Sequence, residues 1–162
     1  MIDIHVCPSL LTEGYTTYSP AALKLLTDGR TVSHIISGPS PLSDTSEAKA
    51  VYRQVGRISL SGVQSKLAVV IDGDHFRFTK EDERGTYMLK PKPTASFLYS
   101  KDECPANENL TMQIASQVYH IETAANALVF FEDDDVAYLT RRFDISSDGR
   151  KYQQEDFASL MG

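Results

Sequence analysis

The stretch of this chain best suited to chemistry is Arg57-Ile58-Ser59-Leu60-Ser61-Gly62-Val63-Gln64-Ser65-Lys66, which is followed by the apolar run Leu67-Ala68-Val69-Val70-Ile71. Small and hydroxyl-bearing residues ahead of a β-branched run read as a tight loop feeding a strand. Such a loop gathers backbone N–H groups and hydroxyls, and that combination suits phosphate oxygens. It is neither a Walker loop nor a three-glycine kinase loop, and read alone it is more simply a serine-rich hairpin turn. Its weight comes from three downstream segments and their order. Tyr87-Met88-Leu89-Lys90-Pro91 brings a lysine to the end of an apolar segment. Asn107-Glu108-Asn109-Leu110-Thr111-Met112 brings an acid to the start of a helical one, and Arg141-Arg142-Phe143-Asp144 closes the series.

The elements that must position these residues are bounded first by composition. The chain has 162 residues, room for one domain or for a small domain with an N-terminal appendage. Apolar residues make up 41% and charged residues 23%, which allows a buried core in an ordinary globular protein. The net charge is −6 and the pI near 5.1. With no basic stripe, the electrostatic footprint of a nucleic-acid binder is missing, and no direct nucleic-acid contact is expected. Cys7 and Cys104 lie far apart with no CxxC neighbour, and they read as free thiols of a reducing compartment. The N-terminus carries Asp3 and lacks a basic, then apolar, leader, so it does not read as a signal peptide. The longest apolar runs, 67–71 and 127–131, are far too short to span a bilayer. A cytoplasmic location is expected.

Residues 2–6 alternate and predict a short strand. Ser19 and Pro20 predict a helix over 21–26, with Ser as its cap, and Gly29 marks its stop. Residues 37–46, rich in Ser, Pro, Gly and Asp, read as loop or linker. Strands are expected over 66–72 and 75–79, joined by an Asp72-Gly73-Asp74 hairpin, with Phe76 and Phe78 on one face. A third strand is expected over 86–90, ended by Pro91 and Pro93. In the long connection after it, Phe97 and Tyr99 are candidate anchors. Asn107 is expected to cap a helix with Glu108 in its first turn, and Leu110, Ile114, Ala115 and Val118 mark one helical face. Next come a strand within 121–131, an acidic turn at 132–135 and a return strand over 136–140. Asp148-Gly149 marks a last turn, and residues 155–160 read as a helix beginning.

Loop, hairpin, strand with Lys, helix with Glu, two strands and a hinge is the order of a protein kinase-like N-lobe. The motifs narrow this further. Residues 59–66 resemble the Ser-x-Ser-Gly-x-Gln-x-Lys loop of the HipA toxin kinase family, particularly its short HipT-type members. Residues 87–91 resemble that family's Tyr/Phe-Ile-Leu-Lys-Pro strand end, 107–112 its Asn-Glu-His-x-Thr-Met helix start, and 141–144 its Arg-Arg-Phe/Tyr-Asp or Glu-Arg-Phe-Asp segment between lobes. The resemblance covers about 57–162. The expected fold is α+β: a kinase-like N-lobe over 51–162, an antiparallel sheet with one main helix, preceded by a reduced N-terminal subdomain and linker over 1–50.

The resemblance implies an ATP-dependent serine/threonine kinase, the toxin of a bacterial toxin–antitoxin module. An antitoxin protein would be its partner and an aminoacyl-tRNA synthetase its substrate. Phosphoryl transfer needs positioned positive charge on the phosphates. Lys90 would supply it to the α- and β-phosphates, its plain alternative being a solvated strand-end lysine. Ser61, Gly62, Val63, Gln64 and Lys66 would line the phosphates. Glu108 either pairs with Lys90 or serves only as a first-turn acid. Ser59 and Ser61 would be autophosphorylation sites whose added charge ejects the loop, or their hydroxyls only cap the turn. Arg141, Arg142, Phe143 and Asp144 would form the hinge, with backbone on the adenine and Asp144 near the ribose; Arg141 stands where some members carry Glu. His5, His34, His75 and His120 receive no role, and Asp133 to Asp135 read as a solvated turn rather than a metal site. The family's catalytic Asp and magnesium ligands lie downstream of the hinge, so no catalytic residue is assigned within this chain. By itself it is expected to transfer no phosphate. The alternative reading is a half-kinase acting as a nucleotide- or antitoxin-binding module.

Overall fold

Ser19 starts the first helix as a cap should. Its hydroxyl accepts the Ala22 N–H at 3.2 Å, and Pro20, with φ preset, opens α1 (Pro20–Thr27). Asp28 and Gly29 stop it, both at positive φ. In the computed structural model, residues 3–55, 65–94, 99–146, 150–152 and 160–161 are described. The remaining elements are α2 (Ser46–Val55), β1 (Leu67–Asp72), β2 (His75–Phe78), β3 (Tyr87–Pro91), α3 (Cys104–Gln113) running on into a π-helical turn (Ile114–Val118), β4 (Asn126–Phe130) and β5 (Val136–Arg141). No described helix is long and apolar enough to cross a membrane.

The five strands form one antiparallel sheet in the order β2-β1-β3-β5-β4, and the class is α+β as expected. The β1–β2 turn centres on Gly73 and Asp74, since Asp72 pairs with His75. Of the two only Gly73 has positive φ, which is the type II′ pattern rather than one led by Asp-Gly. Alternation sorts the strands into two faces. On one face Leu67, Val69, Phe76, Tyr87, Leu89, Val129 and Leu139 are buried in a single core. Cys7, Tyr18, Ala22, Leu26 and Ile36 from the N-terminal region complete that core. The Tyr87 hydroxyl donates to the Leu26 carbonyl at 2.7 Å, tying α1 to the middle of the sheet. The other face carries Ala68, Met88, Lys90, Tyr138, Thr140 and Asn126, and α3 packs against its β4–β5 side.

Several expectations change here. Residues 3–6 form no strand; only Val6 bridges Glu13, because Pro8 and residues 34–36 hold the outer edge of β4 instead. Leu128 N donates to Pro8 O at 2.8 Å and Phe130 N to His34 O at 2.9 Å, so that edge is not left bare. Helix α2 was not expected, and the boundary placed at about residue 50 falls inside it. Its signal was a cap, with the Thr45 hydroxyl accepting the Ala48 N–H at 3.0 Å. Tyr99 is 97% exposed and anchors nothing, while Phe97 lies outside the described residues. Asn107 is not a cap. Helix α3 begins at Cys104 with Pro105 in its first turn, after a 3-10 turn (Lys101–Glu103), so Asn107 and Glu108 sit inside the helix. Leu110, Ile114 and Val118 are exposed, and α3 buries Pro105, Asn109 and Gln113 instead. The turn expected at Asp148-Gly149 and residues 155–159 of the last helix lie outside the described residues.

Gly85 makes a close approach that any side chain would disturb. A Cβ there would stand 2.7 Å from the Ala68 Cβ and 3.0 Å from the Val69 backbone nitrogen. Since the neighbour is the backbone of a central strand, relief requires β1 to move. Gly85→Ala is expected to cost about 1–3 kcal/mol, and thermal melting followed by circular dichroism should fall by several degrees. An unchanged melting point would show that the 84–86 segment shifts freely.

Candidate nucleotide-binding site

Lys90 occupies the face of β3 opposite the core because its neighbours Leu89 and Pro91 are buried on the other side. Its register partner Tyr138 lies beside it on the same face, and the Lys90 ammonium sits 5.4 Å from the Tyr138 ring centroid. Burial, and then the negative charge of Glu108, push the Tyr138 hydroxyl up to about 12. The ring therefore stays neutral and offers its π face to the cation.

Glu108 reaches Lys90 from one turn inside α3, and its carboxylate accepts a hydrogen bond from Nζ. The first turn of α3 holds no acid, so helix-dipole stabilisation does not explain Glu108, and the contact with Lys90 does. The two side chains are 22% and 29% exposed. That places the pair between surface pairs, worth about 0.2–1 kcal/mol, and buried ones, whose disruption costs about 3–5 kcal/mol. An ammonium has three N–H donors, and Glu108 takes one. A half-buried cation held in place with donors to spare fits an anionic oxygen ligand such as phosphate.

Of the loop, Ser65 and Lys66 are described, both half-buried at the foot of β1. Ser59, Ser61, Gly62, Val63 and Gln64 lie outside the described residues. Arg141 is the last residue of β5, and its guanidinium forms a bidentate pair with Asp28 at 2.7 and 2.8 Å, on the core side of the sheet. Arg142 forms a second bidentate pair with Asp144 at 2.6 and 2.8 Å, while Phe143 between them is exposed. The site thus brings together Lys90 and Glu108, and leaves Arg141 directed at α1. Sequence reasoning missed two partners. Tyr138 was legible in principle, by alternation along β5; Asp28, 113 positions from Arg141, carried no local signal. In the acidic turn, Asp135 pairs with Lys92 at 2.7 Å and Asp133 accepts from Ser43. Among the described residues no three His, Cys, Asp or Glu side chains group as a metal site.

The Arg142–Asp144 pair has a pH signature. Its side chains are 16% and 7% exposed, and the hydrogen bonds from Arg142 hold the Asp144 carboxyl below its usual value. A carboxyl lowered in the folded state stabilises fully above its unfolded value, near 3.9, and loses that contribution as pH falls through the folded value. Asp144→Asn is expected to cost about 1.5–3 kcal/mol at pH 7, because it removes the charged acceptor of the half-buried Arg142 guanidinium. The gap in urea midpoint between variant and wild type should narrow below about pH 4. A gap constant from pH 7 to 3 would refute the assignment.

Comparison with known proteins identifies the relatives of this arrangement. Residues 58–162 match the family model of the HipA-like C-terminal domain. A curated protein described as a putative kinase, from Haemophilus influenzae (strain ATCC 51907 / DSM 11121 / KW20 / Rd), is 27% identical over 161 residues. The match takes in 95% of this chain and 43% of that protein, so the chain spans less than half the length of this relative. A solved structure of the Shewanella oneidensis MR-1 toxin–antitoxin system, HipA with HipB and operator DNA, is 27% identical over a match covering 61% of this chain and 22% of the other, with a TM-score of 0.39. With the family model spanning well over half of its residues, the chain belongs to the HipA family, whose C-terminal domain it matches over residues 58–162.

Proposed function

We propose that residues 51–162 are the ATP-binding lobe of a HipA-like serine/threonine protein kinase. The observation that carries this reading is the ion pair of Lys90 with Glu108 on the face of the sheet away from the core. Lys90 holds the α- and β-phosphates, and Glu108 fixes Lys90 so that its ammonium is oriented before the ligand arrives. Ser61, Gly62, Val63 and Gln64, with Lys66, close over the phosphates from the other side. Residues 141–144 form the hinge. Because Asp28 and Arg142 hold the side chains of Arg141 and Asp144, the adenine contact is assigned to the backbone there. Bound ATP supplies the transferable γ-phosphoryl group. The groups that hold magnesium and orient the accepting hydroxyl are assigned to a part of the protein beyond this chain, in keeping with a relative of which the chain covers 43%. The complete protein acts as the toxin of a toxin–antitoxin pair, binds an antitoxin, and phosphorylates an aminoacyl-tRNA synthetase. Phosphorylation of Ser59 and Ser61 switches it off by placing charge in the phosphate site.

Calorimetric titration with magnesium and a non-hydrolysable ATP analogue tests the site. A hydrogen bond to a charged group contributes about 1.5–3 kcal/mol, so Lys90→Met should weaken binding roughly 10- to 100-fold. Equal affinity would remove Lys90 from the phosphates. The loop is tested in the same titration by comparing the Ser59→Asp, Ser61→Asp double variant with the double alanine variant. Near-surface charges about 4 Å apart interact by roughly 4 kcal/mol. After screening, the aspartates should still cost about tenfold more than alanines, and matching affinities would take the loop away from the nucleotide.

A further inference from the structure

Helix α3 is docked by amides where an apolar face was expected. Asn109, Gln113 and Asn126 are 1%, 5% and 4% exposed, yet Leu110, Ile114 and Val118 are 47%, 42% and 64% exposed. Gln113 Nε2 donates to Asn126 Oδ1 at 2.9 Å, joining α3 to β4, and Asn126 Nδ2 donates to Ala124 O at 2.8 Å. Gln117, in the π-helical turn, donates to Gln113 Oε1 at 2.9 Å and to Leu10 O at 3.0 Å. Ser9 donates to the Asn126 carbonyl at 2.6 Å, and Asn109 Nδ2 lies 3.4 and 3.5 Å from the carbonyls of Ser9 and Pro8. The N-terminal segment 8–10, the helix and β4 are therefore laced together through directional bonds.

The two sets of residues, 109 and 113 against 110 and 114, differ by one position, which on a helix is a rotation of about 100°. Turning α3 by that amount would bury the apolar set, a change that burial of apolar area favours. It would also bring Asn109 to the place Glu108 now occupies, so that a neutral amide faced Lys90. What opposes the turn is that each buried amide left without a partner costs about 1–3 kcal/mol. We propose that the Gln113–Asn126–Gln117 network, anchored on the Leu10 carbonyl and the Ser9 hydroxyl, is a positioning device that selects the rotation of α3 in which Glu108 meets Lys90. These are positioning residues, acting through Glu108. The consequence for nucleotide binding rests on the function proposed above, while the positioning itself does not.

The test reads the Lys90–Glu108 contact directly, without nucleotide. The full chain is labelled with ¹³C at the lysine ε carbons, and the Lys90 signal is identified by its loss in Lys90→Arg. In the wild type, Glu108→Gln is expected to shift the Lys90 ε resonances. In Gln113→Leu the same change should leave them unmoved, and in Gln117→Ala the response should be reduced, with the sheet amide spectrum retained in both. Gln117 is exposed, so its variant keeps the test alive if Gln113→Leu fails to fold. An undiminished Lys90 response in Gln117→Ala, or in a folded Gln113→Leu, overturns the proposal, as does a wild type in which Glu108→Gln moves nothing. Should Lys90→Met leave ATP-analogue affinity unchanged while the spectroscopic pattern holds, the nucleotide reading fails and the positioning role stands.

Discussion

Pairing of β3 on both its edges is the constraint on which the rest of this structure depends. Tyr87, Leu89 and Pro91 can face the core only if the strand keeps its alternation, and that same alternation commits Lys90 to the opposite face. The register with β5 then sets Tyr138 beside Lys90, and the register with β1 sets Ala68 beside Met88, under the approach of Gly85. A slip of one residue would bury the ammonium in the core and expose Leu89. Register is thus enforced by hydrophobic burial, and the position of the cation results from it without any interaction of its own.

The charged groups show a division of labour that burial explains. Arg141 and Asp28 tie the end of β5 to the end of α1 on the core side, and Arg142 with Asp144 stiffens the chain just past the sheet. Each is bidentate, the geometry in which a guanidinium is most directional. Lys90 instead meets a single carboxylate and an aromatic face. The two arginine pairs use their donors within the protein, whereas the lysine pair leaves donors over. That difference separates the two arginines, whose charge is spent on holding the chain together, from Lys90, which keeps N–H groups beyond its bond to Glu108 among the described residues.

Helix α3 shows tertiary demand overriding pattern. Its apolar residues at 110, 114 and 118 mark a regular stripe, but β4 presents Asn126 and the N-terminal segment presents carbonyls. Against such a surface, the amides of Gln113, Gln117 and Asn126 satisfy buried polar groups, as leucines would not, although the Asn109 Oδ1 stays without a partner among the described residues. Helix formation itself needed only Pro105 near its start and the residues up to Gln113; its rotation was decided by the partner surface.

The sequence by itself determined the local elements. Ser19-Pro20 and Gly29 bounded α1, Gly73 set the hairpin, and alternation drew the five strands of the sheet to within a residue or two, while the alternation at 2–6 drew a strand that residues 3–6 do not form. Lys90 and Glu108 stood out because their neighbours matched a family pattern in order, but the sequence left Glu108 equally readable as a first-turn acid, and the fold made it Lys90's partner. Tertiary structure alone decided which side chains meet across long separations: Asp28 with Arg141, Ser9 with Asn126, Tyr87 with Leu26. It also decided that α3 begins at Cys104 and turns its amides inward. The physical reason is one of range. Caps, turns and periodicity act over three or four residues and are written where they act, whereas the choice of buried face depends on what a distant segment offers to bury it against.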